Sequence, residues 1–104
     1  MTATLAAVCA ALGDETRWSI LVELGGQELS ASALATRLPV SRQAIAKHLV
    51  ALEQVGLVES APVGREVRYR AVGARMTAIA AQIERIGTDW DRRLTGIARI
   101  AERP

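Results

Sequence analysis

The chain of 104 residues has little of the chemistry that metal centres, disulfides and base-stacking surfaces require. Its one cysteine, Cys9, has no second thiol to pair with, and together with the one histidine, His48, it supplies too few soft ligands for a zinc or iron–sulfur site. Aromatic residues make up 3% and phenylalanine is absent, which argues against the stacking platforms of RNA-recognition and single-strand-binding folds. Any nucleic-acid partner is therefore expected to be double-stranded DNA.

Long apolar stretches are also missing. No run approaches the roughly 18 residues that cross a bilayer, and the first residues lack the basic segment of a secretory signal. We therefore expect a cytoplasmic protein without membrane contact, folded as a single domain over residues 1–104. No side-chain nucleophile is grouped with a base and an orienting acid, and no glycine-rich phosphate loop is present, so the sequence predicts neither an enzyme nor a cofactor.

Positive charge is concentrated in the middle of the chain. The net charge is only +2, but residues 37–75 hold seven basic and three acidic side chains, a net +4, whereas the remainder carries −2. This polarity is typical of a phosphate-binding face. A solvated surface can show the same imbalance, so the charge indicates nucleic-acid binding only together with a matching fold.

Apolar residues recur at helical spacing in the first half of the chain. The spacing and the capping residues predict helices over about residues 2–12, from Asp14 to the glycines at 25–26, from Ser30 or Ser32 to Pro39, and from Ser41 to Val55. The last two are joined by a turn so short that they form either a helix-turn-helix or an ordinary corner between two helices. In the helix-turn-helix interpretation, the last of these helices carries the predicted DNA contacts on the face that points away from the core. They are Ser41, Arg42, Gln43, Ala46 and Lys47, with His48 at the edge.

A strand-like pair follows this region. Residues 57–60 and 67–70 flank a turn at 62–65, which predicts a two-stranded β-hairpin. Its alternation places Val67 and Tyr69 inward, so the predicted DNA contacts of the hairpin are Arg68 and Arg70 on the outer face and Arg65 at the tip. A helix-turn-helix followed by such a hairpin is a winged helix, and the predicted fold is mainly α (α+β), with about five helices and one two-stranded wing.

The last predicted helix, over about residues 74–102, is about 40 Å long, more than a domain of this size covers by itself. Its apolar spacing near 3.5 residues favours pairing with a second copy. The first and last helices together supply the predicted dimer interface: Leu5, Val8, Leu12, Ile79, Ile83, Ile86, Trp90, Leu94 and Ile97. Two alternatives stay open, a helix folded back over its own core and a break at Gly87.

Several segments match a known pattern in order and cover about residues 5–72. They are Ala11-Leu12-Gly13-Asp14-Glu15-Thr16-Arg17, Ile20-Leu21, Ser41-Arg42-Gln43-Ala44-Ile45-Ala46-Lys47-His48-Leu49, Leu52, Gly56-Leu57-Val58, Gly64-Arg65 and Tyr69-Arg70. Together they resemble the ArsR/SmtB family of bacterial winged-helix transcriptional repressors. The resemblance implies a homodimeric repressor that binds an inverted-repeat operator, and it also favours a DNA contact for His48.

The usual metal sites of that family are not matched. Many members carry Glu-Leu-Cys-Val-Cys-Asp-Leu before the recognition helix, and the corresponding residues here are Glu28-Leu29-Ser30-Ala31-Ser32-Ala33-Leu34. Serine hydroxyls are poor ligands for thiophilic metals. The other known site needs histidine on the last helix, where this chain has none. The resemblance is therefore to the branch without a metal site, and the sequence does not specify another effector.

Two further functions are compatible with these residues. One is a winged helix used only for protein interaction or dimerisation, and the other is a thiol-based redox repressor acting through Cys9. No basic residue adjoins Cys9 to activate it, so a small buried apolar side chain is expected there. Trp18 and Trp90 are assigned to packing, Trp90 at the dimer seam.

Overall fold

A computed structural model describes residues 3–101 and shows five helices and three strands within them. In chain order they are α1 (Leu5–Leu12), α2 (Glu15–Glu23), β1 (Leu29–Ser30), α3 (Ala31–Arg37), α4 (Arg42–Gln54), β2 (Val58–Val63), β3 (Glu66–Ala71) and α5 (Gly73–Ala101). The predicted ends of the terminal helices near residues 2 and 102 lie outside the described range. The predicted mainly helical winged fold is confirmed.

Each of the first four helices begins directly after a residue whose side chain caps it. Thr4, Asp14, Ser30 and Ser41 have extended backbone, and each side-chain oxygen accepts the N–H of the residue three positions on. The predicted caps Asp14 and Ser41 are confirmed, and of the two serines proposed for α3, Ser30 is the cap. The first helix starts later than predicted because Thr4, at its cap, is outside the helix.

The end of α4 is set by a glycine. Gly56 has a φ of 78°, its N–H donates to Glu53 O, and the N–H of Leu57 donates to Leu52 O, both at 3.0 Å. This is the Schellman arrangement, which needs a residue tolerant of the left-handed region. Leu52 and Leu57 are both fully buried, so the same turn leads the chain from the helix through the core into β2.

One apolar core lies between the helices and the sheet. The inner face of α4 contributes three side chains with no exposed surface, Ile45, Leu49 and Leu52. The other members are Val8, Ile20, Leu21, Leu24, Leu29, Leu34, Leu57, Val58 and Ile79. Val8 and Ile79 were predicted to line a dimer surface, and this is corrected: they are 0% and 4% exposed within one chain, because α1 and the start of α5 pack on their own domain.

The wing belongs to a three-stranded antiparallel sheet in the order β1-β3-β2, whereas the sequence predicted two strands. In the added strand, Leu29 pairs with Tyr69 and Ser30 with Arg68. Two residues are too few to show an alternating pattern, which is why β1 was missed. The pairing joins the start of α3 to the wing.

The wing tip is a two-residue turn. Gly64 has a φ of 64° and Arg65 follows it, the sequence and sign pattern of a type II′ hairpin turn. Val67, predicted to face inward, is 49% exposed. It pairs with Pro62 close to the tip, where the hairpin has left the core.

The last helix, α5, is continuous through Gly87 and does not fold back over the core. Its 29 residues span about 43 Å at 1.5 Å per residue. Met76 and Ile79 pack on the core, but from residue 80 onward its residues are exposed up to residue 101. The radius of gyration, 18.5 Å, exceeds the roughly 13 Å of a compact chain of this length because the helix projects. Of the helices between residues 3 and 101, none combines the length and apolar character needed to cross a bilayer.

Two side chains expected inside lie on the surface. Cys9 is exposed on α1, and Trp18 is 56% exposed on α2. Their neighbours Val8 and Ile20 occupy the faces of these helices that meet the core. The expectation that Cys9 is buried is therefore wrong, and Trp18, which was assigned to packing, is more than half exposed within the chain.

Candidate nucleic-acid interface

The outer face of α4 carries the side chains predicted to contact DNA. Because α4 turns Ile45, Leu49 and Leu52 into the core, the residues on the opposite side of the helix face solvent. Five predicted contact residues are exposed there: Ser41, Arg42, Gln43, Ala46 and Lys47. The first turns of α4 thus present two cations, an amide and a methyl group on one accessible surface.

The turn between α3 and α4 sets how that surface is presented. The N–H of Leu38 donates to Leu34 O at 3.0 Å and closes α3, and the N–H of Val40 donates to Leu38 O at 2.8 Å. Pro39 cannot continue the helix because it has no N–H to donate. Leu34 and Ile45, both fully buried, pack the two helices together. This is a helix-turn-helix, in which the second helix offers its first turns to a major groove.

The outward face of the wing consists of ion pairs. Arg68 Nε lies 3.1 Å from Glu66 Oε2, and Arg70 pairs with Glu59, its register partner on β2. Each arginine is therefore balanced by a carboxylate. Arg68 and Arg70, both predicted as DNA contacts, therefore add no net charge to the wing once these glutamates are counted.

Most basic residues of the central segment are engaged within the chain. Besides the two wing pairs, Arg37 Nη1 lies 3.2 Å from Glu23 Oε2, and Arg75 Nη2 donates to Ala3 O at 3.1 Å. Within residues 3–101, three central basic side chains have neither a carboxylate oxygen within 4.0 Å nor, unlike Arg75, a hydrogen bond to a backbone carbonyl: Arg42, Lys47 and Arg65. All three are exposed, so their charge is available to an anionic partner.

A cleft of about 540 Å³ joins the first turns of α4 to the wing tip. Arg42, Gln43 and Ala46 line it from α4, and Arg65 lines it from the turn between β2 and β3. The cleft also reaches Ser30 at the start of α3. Two of the three unpaired cations therefore face one depression, although 23 positions separate them in the sequence.

The one histidine is held by a contact between helices. Arg17 Nε donates to His48 Nδ1 at 3.3 Å, and Arg17 Nη1 donates to Ala11 O at 3.4 Å. Because Nδ1 accepts this hydrogen bond, the neutral ring carries its proton on Nε2. The His48 side chain is 22% exposed. Arg17 thus connects α1, α2 and α4, and His48 has one ring nitrogen left to donate.

The same cluster includes the cap of α2. Asp14 Oδ1 accepts the backbone N–H of Arg17 at 3.0 Å and lies 4.0 Å from His48 Nδ1. The hydrogen bond from the backbone N–H of Arg17 is the largest cause that lowers the pKa of the Asp14 carboxyl, and it outweighs the opposing effect of desolvation. All three residues belong to the segments that carried the family resemblance. The residues around each of them do not predict that the Arg17 and His48 side chains, 31 positions apart, are in contact.

Serines stand where the resemblance places metal-binding thiols. Ser30 Oγ accepts the N–H of Ala33 at 3.1 Å and caps α3. Ser32 is exposed at the cleft. The first serine thus has a defined structural role in starting a helix.

Comparisons with known proteins agree with this geometry. A family described as a helix-turn-helix domain matches residues 12–61. The HTH-type transcriptional regulator Rv2034 of Mycobacterium tuberculosis is 35% identical over 92 residues, 88% of this chain and 83% of that protein. The HTH-type regulator YuzN of Bacillus subtilis is 45% identical over 73 residues, 64% of this chain and 76% of that protein. The solved structure of an ArsR-like transcriptional regulator from Rhodococcus sp. RHA1 superposes with a TM-score of 0.87 at 66% identity, covering 96% of this chain and 94% of that one.

This chain belongs to the ArsR-like family of helix-turn-helix transcriptional regulators. The resemblance drawn from the sequence is confirmed. The chain is therefore a DNA-binding transcriptional regulator.

Proposed function

We propose that this ArsR-like regulator is a homodimeric repressor that acts in the cytoplasm by binding an inverted-repeat operator in double-stranded DNA, without a metal ion. The convergence of Arg42, Gln43 and the wing-tip Arg65 on one cleft carries the proposal. An α-helix fits a major groove, and a hairpin beside it reaches the adjacent backbone or minor groove.

Each exposed residue of α4 has a role that its chemistry supports. Arg42 and Gln43 form bidentate hydrogen bonds with guanine and adenine edges, and Ala46 contacts a thymine methyl group. Ser41 and Lys47 contact phosphates, as does Arg65 from the wing. His48 donates from Nε2 to the backbone at the rim. Arg68 and Arg70, predicted as contacts from the sequence, neutralise no phosphate in this proposal because each is already paired with a glutamate.

Homodimerisation is supported by the exposed apolar stripe of α5. Six large side chains there are about half exposed or more: Ile83, Ile86, Trp90, Leu94, Ile97 and Ile100. Fully burying such a side chain contributes about 1.5–3 kcal/mol, so covering the exposed half of six on two copies contributes on the order of 10 kcal/mol. This is comparable with the roughly 4–15 kcal/mol that association costs in lost freedom. Leu12, half-buried on α1, lines the same apolar groove as Ile83 and extends this surface, and Leu5, also half-buried, belongs to the same helix.

Repression follows from occupancy, since a dimer spanning two successive major grooves covers promoter DNA that polymerase needs. Metal-independent action is supported by Ser30 and Ser32 at the positions of the thiolates, because a hydroxyl is too weakly basic to hold a thiophilic ion. The hydrogen bond that Ser30 makes as the cap of α3 gives it another role.

Selection of bound fragments from random duplexes tests the proposal. We expect a palindrome whose half-sites lie about 34 Å apart, one turn of DNA. Gln43→Ala should relax preference at one base in each half-site, by about 1–3 kcal/mol of discrimination. Lys47→Ala is the matched variant and should weaken binding to all sequences alike. Failure to enrich any sequence, together with salt-insensitive duplex binding, would contradict the proposal and favour a protein-interaction module.

A further inference from the structure

The imidazole of His48 lies between two side chains that favour opposite positions for its proton. Arg17 Nε donates to His48 Nδ1 at 3.3 Å, whereas Asp14 Oδ1 lies 4.0 Å from the same nitrogen. A guanidinium only donates, so it requires a bare Nδ1 and leaves the proton of the neutral ring on Nε2. An ionised carboxylate only accepts, so Asp14 favours a proton on Nδ1 instead. The two neighbours therefore compete for the tautomer of His48.

Distance decides this competition in favour of Arg17. Its 3.3 Å contact with Nδ1 is a hydrogen bond, and the 4.0 Å between Asp14 Oδ1 and Nδ1 is too long for one. Asp14 Oδ1 already accepts the backbone N–H of Arg17 at 3.0 Å. Arg17 Nη1 donates in turn to Ala11 O at 3.4 Å, so the guanidinium is held by contacts with both α1 and α4.

The other nitrogen of the ring is open to a partner. Among residues 3–101, every buried side-chain nitrogen or oxygen has a hydrogen-bond partner. Within that range His48 Nε2 has none, so it is accessible to solvent although the whole side chain is only 22% exposed. His48 directly follows Lys47, one of the three unpaired cations, on α4. Nε2 is therefore the atom through which this ring can meet a phosphate.

The tautomer of His48 decides whether such a contact attracts or repels. A phosphate oxygen is negatively charged and accepts hydrogen bonds. With the proton on Nε2 the ring donates to that oxygen, whereas with the proton on Nδ1 it turns a lone pair toward the oxygen. Which ring nitrogen carries the proton is set by the hydrogen bond that the other nitrogen makes. A side chain bound to Nδ1 thus controls a contact made at Nε2.

We propose that Arg17 is a positioning residue for DNA binding, because its hydrogen bond to Nδ1 holds His48 as the Nε2–H tautomer that donates to an operator phosphate. This inference rests on the proposed function, which supplies the phosphate. When the donor at position 17 is lost, the Asp14 carboxylate is left facing Nδ1 and the proton moves to that nitrogen. Arg17 acts through His48 and needs no contact of its own with DNA.

Two variants with side chains of equal length isolate the hydrogen bond to His48. In Arg17→Gln, the amide nitrogen is bonded to Cδ, as Nε is in arginine, so a donor remains at the same distance along the side chain. In Arg17→Met, a methyl group takes that place and cannot donate. Both variants lose the positive charge and the hydrogen bond of Nη1 to Ala11 O, so the difference between them reports on the donor to His48.

Nuclear magnetic resonance reads the tautomer directly. The chain has one histidine, so ¹⁵N labelling of histidine gives the signals of a single ring. At about pH 8.5 an imidazole is neutral, and its protonated and bare nitrogens resonate at different ¹⁵N shifts. We expect the proton on Nε2 in the wild type and in Arg17→Gln, and on Nδ1 in Arg17→Met. A general loss of packing would not exchange the two signals.

Affinity for a duplex recovered by the selection should follow the tautomer. Measured by fluorescence anisotropy, Arg17→Met should bind at least about tenfold more weakly than Arg17→Gln, as expected when a hydrogen bond to a charged group is lost. In a His48→Ala background the two variants should bind alike, because no ring remains to orient. Equal affinities with His48 present would overturn the inference, and so would a tenfold difference that persists in His48→Ala.

The outcomes separate this inference from the proposed function. If the wild-type ring carries its proton on Nδ1, or if Arg17→Met leaves the proton on Nε2, the inference fails while operator binding stands. If Arg17→Met does not fold, the wild-type chain decides, since an Nε2 signal that does not move when the duplex saturates the protein would also overturn the inference. If the wild-type chain selects no duplex, the proposed function fails, and the inference fails with it whatever the tautomer.

Discussion

Replacing Arg65 with alanine should flatten the salt dependence of DNA binding. Arg65 is exposed at the tip of the wing and has no carboxylate oxygen within 4.0 Å among residues 3–101. Each phosphate that a protein neutralises contributes about 0.9 to the slope of log K against log salt concentration. A dimer has two wings, so the loss of both contacts should reduce the magnitude of the slope by about 1.8.

The slope change converts to a measurable shift in relative affinity. Between about 0.05 and 0.2 M salt, a slope difference of about 1.8 changes the ratio of wild-type to variant affinity by roughly tenfold. Fluorescence anisotropy with a labelled operator duplex, repeated at four or five salt concentrations, measures both slopes. Arg65→Lys should restore most of the slope because it keeps the charge, although it loses the planar guanidinium.

The ion pair on the neighbouring part of the wing provides a contrasting variant. Removing Arg70 and Glu59 together takes away one charge of each sign, and the pair lies on the solvent-facing side of the hairpin. We expect the double variant to keep the wild-type slope. An unchanged slope for Arg65→Ala, or a flattened slope for the double variant, would refute the division between unpaired and paired arginines on which the proposed contacts rest.

Three further predictions concern the scaffold that presents this surface. Ser41→Ala removes the cap of α4 and should lower the free energy of unfolding in urea by about 1 kcal/mol, with recovery in Ser41→Asp. Leu49→Ala opens a cavity at a fully buried position and should cost about 2–5 kcal/mol, whereas Val50→Ala, beside it on the surface, should change stability by less than about 0.5 kcal/mol. The pKa of Asp14 is lowered in the folded state, so the stability it contributes is present above its ordinary value of about 3.9 and is lost as the pH falls through the lower folded value. Asp14→Asn keeps the cap but does not titrate, so its thermal midpoint should fall less than that of the wild type from pH 4 to pH 2; an equally steep fall would show that Asp14 does not cause the loss.

Much of the fold could be predicted because its signals are local. A capping side chain and the N–H that it binds are three positions apart, as Asp14 and Ser41 show. The burial of Ile45, Leu49 and Leu52 follows from helical periodicity alone. The turn at Gly64 is likewise specified by residues next to one another, since a glycine there accepts the positive φ that the hairpin needs.

The predictions that failed concern which apolar side chains are buried within the chain. They failed because the spacing of apolar residues does not show what covers each side chain. Val8 and Ile79 belong to helices with exposed apolar residues, and periodicity does not distinguish a side chain packed on its own domain from one awaiting a partner. Trp18 is apolar and close to buried neighbours, yet α2 is rotated so that its ring lies on the surface. The sequence correctly identifies each of these side chains as large and apolar, but it does not determine what the side chain packs against.

The order of residues along the chain was enough to specify the helices, their caps, the hairpin and the face of α4 that leaves the core, because each depends on neighbours within a few positions. Tertiary structure decided which positive charges remain for DNA. Arg70 pairs with Glu59 and Arg37 pairs with Glu23, 11 and 14 positions away, whereas Arg65 has no carboxylate oxygen within 4.0 Å among the described residues. Such pairings depend on distances that exist only once the chain has folded, because Coulomb attraction and hydrogen bonding act through space and not along the sequence.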